Sequence, residues 1–112
     1  MKTITDEFMM QVMQTAKPYT AVLLKSGPTV DHHDAQSLLW EHVRRNFALR
    51  EEGLLSIVCP VSEENNLKGI GIFNADVDQT RIIMEEDPCV KAGIFVFEVY
   101  PTRSFPGDYL PK

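Results

Sequence analysis

Gly53-Leu54-Leu55-Ser56-Ile57-Val58-Cys59-Pro60 and, beyond a turn, Leu67-Lys68-Gly69-Ile70-Gly71-Ile72-Phe73 decide the fold class. Leu54 to Val58 is a short apolar run of strand length, stopped by Cys59-Pro60, and Leu67 to Asn74 is a second such run. Ser62 to Asn66 between them is a polar turn. Two strands therefore follow one another in the middle of the chain.

Upstream, Gly53 in C-cap position stops a long helix that begins after Asp31 or Asp34 and runs to about Glu52. Tyr19 to Leu24 reads as a strand closed by Ser26-Gly27-Pro28. Before it, Thr5 caps an amphipathic helix with Phe8, Met9, Val12, Met13 and Ala16 on one stripe, ended by Pro18. Downstream, Asp76 and Gln79 make a capping pattern for a helix ending near Glu86, because Asp87 precedes Pro88. Ile94 to Tyr100 is the last strand, and a tail with Pro101, Pro106 and Pro111 follows, extended and partly ordered by Phe105 and Tyr109.

After the first helix the order is β-α-β-β-α-β. This predicts an α+β, ferredoxin-like sandwich with an antiparallel sheet and both helices on one face. The division is a helical extension over 1–18, the sandwich over 19–101 and a tail over 102–112. In the last strand Phe95, Phe97 and Val99 point one way, and Ile94, Val96 and Tyr100 the other. Two helices cover only one face of such a sheet. A second subunit, or the first helix, must meet the other, and a homodimer is the expected partner.

Composition narrows the function classes. The 112 residues suit one domain, and the net charge of −5 comes with no basic run longer than Arg44-Arg45. Nucleic-acid binding and anionic lipid are disfavoured. No apolar run approaches the ~20 residues that span a bilayer. Met1 to Glu7 carries early acids and no apolar core, so a secretory signal is not expected. Cys59 and Cys89 each adjoin a proline without Cys-x-x-Cys spacing, and free thiols in a reducing cytoplasm follow.

The long helix carries the best chemical clue. Projected at about 100° per residue, Ala35, Leu38, Leu39, Val43, Phe47 and Leu49 share an apolar arc. Glu41, Arg44, Arg45, Glu51 and Glu52 lie opposite. His42 and Asn46 fall inside the apolar arc, one turn apart. A buried imidazole needs a hydrogen-bond partner and titrates near neutrality, so His42 is either a structural core histidine or a proton-transfer group. Asp87, held out of αR geometry by Pro88, aims its carboxylate away from the helix that ends there.

The Gly53–Pro60 and Leu67–Phe73 strands resemble those of YciI-like (YCII-related) proteins. So does Asp87-Pro88-Cys89-Val90-Lys91-Ala92-Gly93 followed by Glu98-Val99-Tyr100-Pro101, and His42 stands where that family has its helix histidine. The resemblance covers roughly residues 19 to 101. It implies a dimeric α/β barrel and a proposed histidine–aspartate active site, carried over to His42 and Asp87. In that picture Asp87 orients the imidazole while His42 moves a proton on a small substrate. Asn46, Cys59 and Pro88 are the expected substrate contacts. Cys59 replaces a family glycine and Asn46 an isoleucine-type residue. Cys59 is either a nucleophile or a small buried hydrophobe.

Other signals are weaker. Asp31-His32-His33-Asp34 looks like a metal cluster, but adjacent histidines on an extended segment face apart, so no metal is expected. Gly69-Ile70-Gly71 lies in a strand and opens no helix, so it is no dinucleotide fingerprint; it leaves one sheet face bare, as close packing or a cavity floor requires. The expectation is a small-molecule enzyme of isomerase or lyase type without a cofactor, acting on a compact aromatic or lactone-like substrate. Its rival is a binding or dimeric interaction module using the same cavity.

Overall fold

The computed structural model describes residues 1–112. Its elements are α1 (Asp6–Gln14), β1 (Lys17–Ser26), α2 (Ala35–Glu51), β2 (Leu55–Pro60), β3 (Leu67–Phe73), α3 (Val77–Glu85), α4 (Pro88–Lys91) and β4 (Phe95–Ser104). The strands form one sheet in the order β2-β3-β1-β4, antiparallel throughout. That order, with α2 and α3 as the two crossovers, is the ferredoxin-like α+β arrangement expected from the sequence.

Prolines account for most differences from expectation. α1 stops at Gln14, and Pro18 lies inside β1 opposite Arg103. The pairing of β1 with β3 begins only at Thr20, so the N–H that Pro18 lacks leaves no ladder bond unmade. Pro101 likewise does not end β4, which continues to Ser104 because it is an edge strand and absorbs a proline. The one-turn α4 has no counterpart in the sequence reading. Asp87 caps it, with Pro88 at the position where a missing N–H is harmless.

Inward-facing positions of the sheet meet α2, α3 and α4. Val22, Leu24, Leu55, Phe73 and Phe95 are buried there with Leu49 and Met84 from the helices. Ile94 does not point to the opposite face. It precedes β4 and is 1% exposed, its N–H donating to the Cys89 carbonyl that closes the α4 turn. At the same corner the chain leaves β1 through Gly27, whose N–H donates to the Ile94 carbonyl at 2.7 Å. A Cβ on Gly27 would lie 2.2 Å from the Gly93 carbonyl oxygen.

The other face of the sheet is bare. Leu23, Ile70, Ile72, Val96 and Tyr100 lie on it, and Ile70, Val96 and Tyr100 are exposed. A Lys25–Glu98 ion pair of 2.6 Å crosses it, and Tyr100 Oη donates to Glu98 at 3.0 Å. The Lys25 contact lowers the Glu98 pKa and, reciprocally, raises that of Lys25. α1 does not cover this face. It has no buried residue, and its Phe8, Met9 and Met13 remain about half exposed while the molecule stretches to 56 Å along its long axis. No helix is long and apolar enough to cross a membrane.

Candidate functional site

The long helix presents its faces differently from the simple wheel. Only His42 and Leu49 of α2 are buried. Leu39, Val43 and Phe47, one flank of the apolar arc, stay 37%, 41% and 52% exposed. The helix is rolled towards its other flank, which brings Arg45 from the expected polar side to 3.9 Å from Asp87. The rolled packing seats α2 on α4 and leaves Leu39, Val43 and Phe47 overhanging the sheet.

His42 and Asp87 come together at the centre of this packing. His42 Nδ1 and Asp87 Oδ2 are 2.6 Å apart, and the residues are 7% and 1% exposed. The other carboxylate oxygen accepts from the backbone N–H of Cys89 at 2.9 Å and of Val90 at 3.3 Å, the donors freed at the start of α4. Every group around Asp87 is thus a donor or a cation, the complement of an ionised carboxylate. The expectation that Pro88 turns this carboxylate out of α3 agrees with the geometry, although the turn delivers it as the cap of a new helix. Phe95 meets the His42 ring edge-on at 5.3 Å between centroids and holds its plane.

Since the carboxylate accepts from Nδ1–H, Nε2 of a neutral His42 carries the lone pair. Asn46 Nδ2 lies 3.2 Å from Nε2 and donates to it. Both groups open onto a cavity of about 250 Å³ between α2 and the sheet, whose walls include Val22, Leu24, Val43, Phe47, Leu55 and Phe73. Gly69 and Gly71 form its floor. A Cβ on Gly69 would meet only ordinary contacts, so the bare backbone there makes room and relieves no clash. A dyad with one nitrogen anchored and the other facing an apolar, one-ring-sized cavity can take up or deliver a proton.

The remaining candidates are placed less centrally. Cys59 is among the residues lining the cavity, and register pairs it with Ile70, at its edge on β2. Pro88 begins α4 behind Asp87 and does not line the cavity. Cys89, not singled out as a site residue in the sequence, completes a cluster in which ligand-type atoms of His42, Asp87 and Cys89 lie within 4.8 Å of one another. Burial raises the Cys89 thiol to about 11 and the Asp87 charge adds to this, so it is a protonated packing group and a poor metal ligand. His32 and His33 do not face apart as expected. Their segment is a turn, and the rings stack with centroids 4.5 Å apart, His32 Nδ1 accepting from the Asp34 N–H.

No family model matches the chain, and no curated protein matches its sequence. Among solved structures, it is similar to 5-chloro-2-hydroxyhydroquinone dehydrochlorinase from Burkholderia phenoliruptrix AC1100, in complex with 2,5-dihydroxybenzoquinone, with a TM-score of 0.49. The two are 19% identical, over 73% of this chain and 90% of that one. The YciI-like resemblance accordingly rests on the motifs of the sequence.

Proposed function

We propose that this chain is a small-molecule enzyme whose His42/Asp87 dyad transfers a proton, in an isomerase or lyase type of reaction. One observation carries the reading: His42 is anchored through Nδ1 to a carboxylate that is 1% exposed, while Nε2 faces an apolar cavity. A structural histidine needs no such cavity beside Nε2, whose one partner is the Asn46 amide at the cavity wall. The substrate enters past Val43 and Phe47 and sits on the glycine floor, with Asn46 as its polar contact. Asp87 keeps the tautomer and balances the imidazolium formed when Nε2 takes the proton.

Incubation of the protein in deuterium oxide with a panel of small cyclic ketones, lactones and phenols tests this by proton NMR. We expect deuterium to enter a carbon next to an oxygen of at least one panel member. His42→Gln should slow that exchange by about a hundredfold or more, with an essentially unchanged melting temperature. Ligands that bind wild type and come back without exchange or chemical change would instead make the site a sensor.

We further propose a cytoplasmic homodimer joined through the bare sheet face. Ile70, Val96 and Tyr100 support it, and so does α1, since a nine-residue helix with no packing of its own is marginal in water. Light scattering should return about twice the chain mass of 12.7 kDa. A monomer at micromolar concentration would remove this part of the reading.

A further inference from the structure

We infer that Asn46 is a second catalytic group, the donor to an oxyanion, and that the substrate class is therefore a compound with an acidic proton on or next to an oxygen-bearing carbon. The inference rests on the proton-transfer reading of His42 and deepens it.

The walls of the cavity are largely apolar; its polar and charged lining residues are His42, Asn46 and Lys68, and the first two stand side by side on α2. Their juxtaposition is chemically specific. One Asn46 Nδ2–H, 3.2 Å away, occupies the Nε2 lone pair, and a ligand oxygen that draws this N–H onto itself frees the lone pair for the proton beside it. Asn46 makes no other side-chain hydrogen bond, so nothing else in the fold holds its amide. A ligand oxygen inserted at this end can accept from Nδ2–H while the proton beside it meets Nε2. A base and a neutral donor set next to each other in an apolar wall are the requirements of enolisation.

The step balances without a co-reactant. The Nε2 lone pair takes the proton from the carbon next to the carbonyl. The C–H electron pair becomes the new C=C bond, and the C=O π pair moves to oxygen. The resulting enolate oxygen accepts from Asn46 Nδ2–H, the abstracted proton stays on Nε2, and Asp87 balances the imidazolium charge through Nδ1–H. Where a C=C bond adjoins the deprotonated carbon, the anion is a dienolate, and return of that proton from Nε2 to its far carbon, with the double bond shifted, completes an isomerisation.

The choice of residue has a sequence consequence. A leucine or isoleucine at position 46 would preserve the helix and the apolar wall, and would leave Nε2 with no donor beside it. The histidine would then remain a base without help for the charge it creates.

The test uses 4-nitrophenol, a flat one-ring probe whose anion absorbs visible light and whose neutral form does not. It is titrated with the full chain at a pH where free probe is neutral. Wild type should bind it as the anion, with its proton on His42. Asn46→Leu should still bind the probe but lower the bound anion-to-neutral ratio roughly tenfold to a hundredfold, the value of one hydrogen bond to a charged oxygen. Asn46→Asp, which replaces the donor by a negative charge, should abolish the anion band, and it decides the question equally well if the leucine variant folds poorly. An unchanged anion band in both variants would overturn the role of Asn46 and leave the dyad standing. No anion band in wild type, or one that persists in His42→Gln, would overturn the proton-transfer reading and this inference with it.

Discussion

Asp87→Ala should destabilise the fold by about 3–5 kcal/mol in urea titration, because it strands a buried partner on each side. The carboxylate is 1% exposed and serves two structures at once. Oδ1 caps α4 by accepting from Cys89 and Val90 N–H, a contribution of typically ~1 kcal/mol. Oδ2 receives the His42 Nδ1–H at 2.6 Å and has the Arg45 guanidinium at 3.9 Å, the nearer nitrogen of which has no hydrogen-bond partner of its own. Removing the carboxylate leaves an imidazole and a cation in a dry site without their anion, and that loss dominates the cap.

Asp87→Asn separates the two roles. Asparagine caps helices about as well as aspartate, so α4 should survive and most of the stability with it. Its Nδ2–H turned towards Nδ1 would force the proton onto Nε2, and the cavity would face a donor in place of a base. Proton exchange on the substrate should therefore fall by about a hundredfold or more at little cost in stability. Full exchange activity in Asp87→Asn would remove the dyad from the mechanism, and a change below about 1 kcal/mol in Asp87→Ala would contradict the burial argument.

Gly27→Ala should have an effect of similar size with no chemistry attached. Its new Cβ would sit 2.2 Å from the Gly93 carbonyl oxygen, 2.9 Å from the Gly93 carbonyl carbon and 3.0 Å from that of Ile94. All three are backbone atoms and none can rotate away. They are held by the Gly27 N–H to Ile94 at 2.7 Å and the Thr29 N–H to Gly93 at 3.0 Å, so relief requires parting β1 from the corner that ends α4. We expect a loss of about 3 kcal/mol or more, the upper range for overpacking, measured as a shift in urea midpoint. Gly53→Ala is the useful contrast. There φ is +78° and nothing lies within 4 Å, so only the left-handed backbone resists, at about 1–2 kcal/mol. Equal effects in the two variants would mean that the corner is looser than its hydrogen bonds imply.

The strand–turn–strand of residues 54–74 and the two helices flanking it are legible in the sequence because strand and helix signals are local. They depend on side-chain period, on a glycine such as Gly53 at a helix end and on Asp76 ahead of Gln79. The strand ends at Pro18 and Pro101 depart from the local pattern for a tertiary reason. A proline stops a strand only where a neighbour needs its N–H, and which edges are free is a property of the assembled sheet. The wheel places His42 and Asn46 on the apolar arc correctly, and mistakes Arg45 for a solvent residue. Rotation of a helix about its own axis is set by its neighbours, here α4, and a wheel has no neighbours. Which face of β2 the Cys59 side chain takes is not legible from its place in the motif, because position along a strand does not say which face is which. The β-irregularity between Leu55 and Ile57 sets that parity.

By itself, then, the sequence determined the β-α-β-β-α-β order, the apolar stripe that carries His42 and the break at Asp87-Pro88, all encoded within a few residues of each other. Only the tertiary structure decided that the imidazole and the carboxylate, 45 positions apart in the chain, meet at 2.6 Å, and that a cavity opens beside Nε2. The reason is geometric. Local pattern specifies what each element is, whereas the distance between two elements, and the void left where α2 rolls away from a glycine floor, exist only once side chains from all layers have packed together.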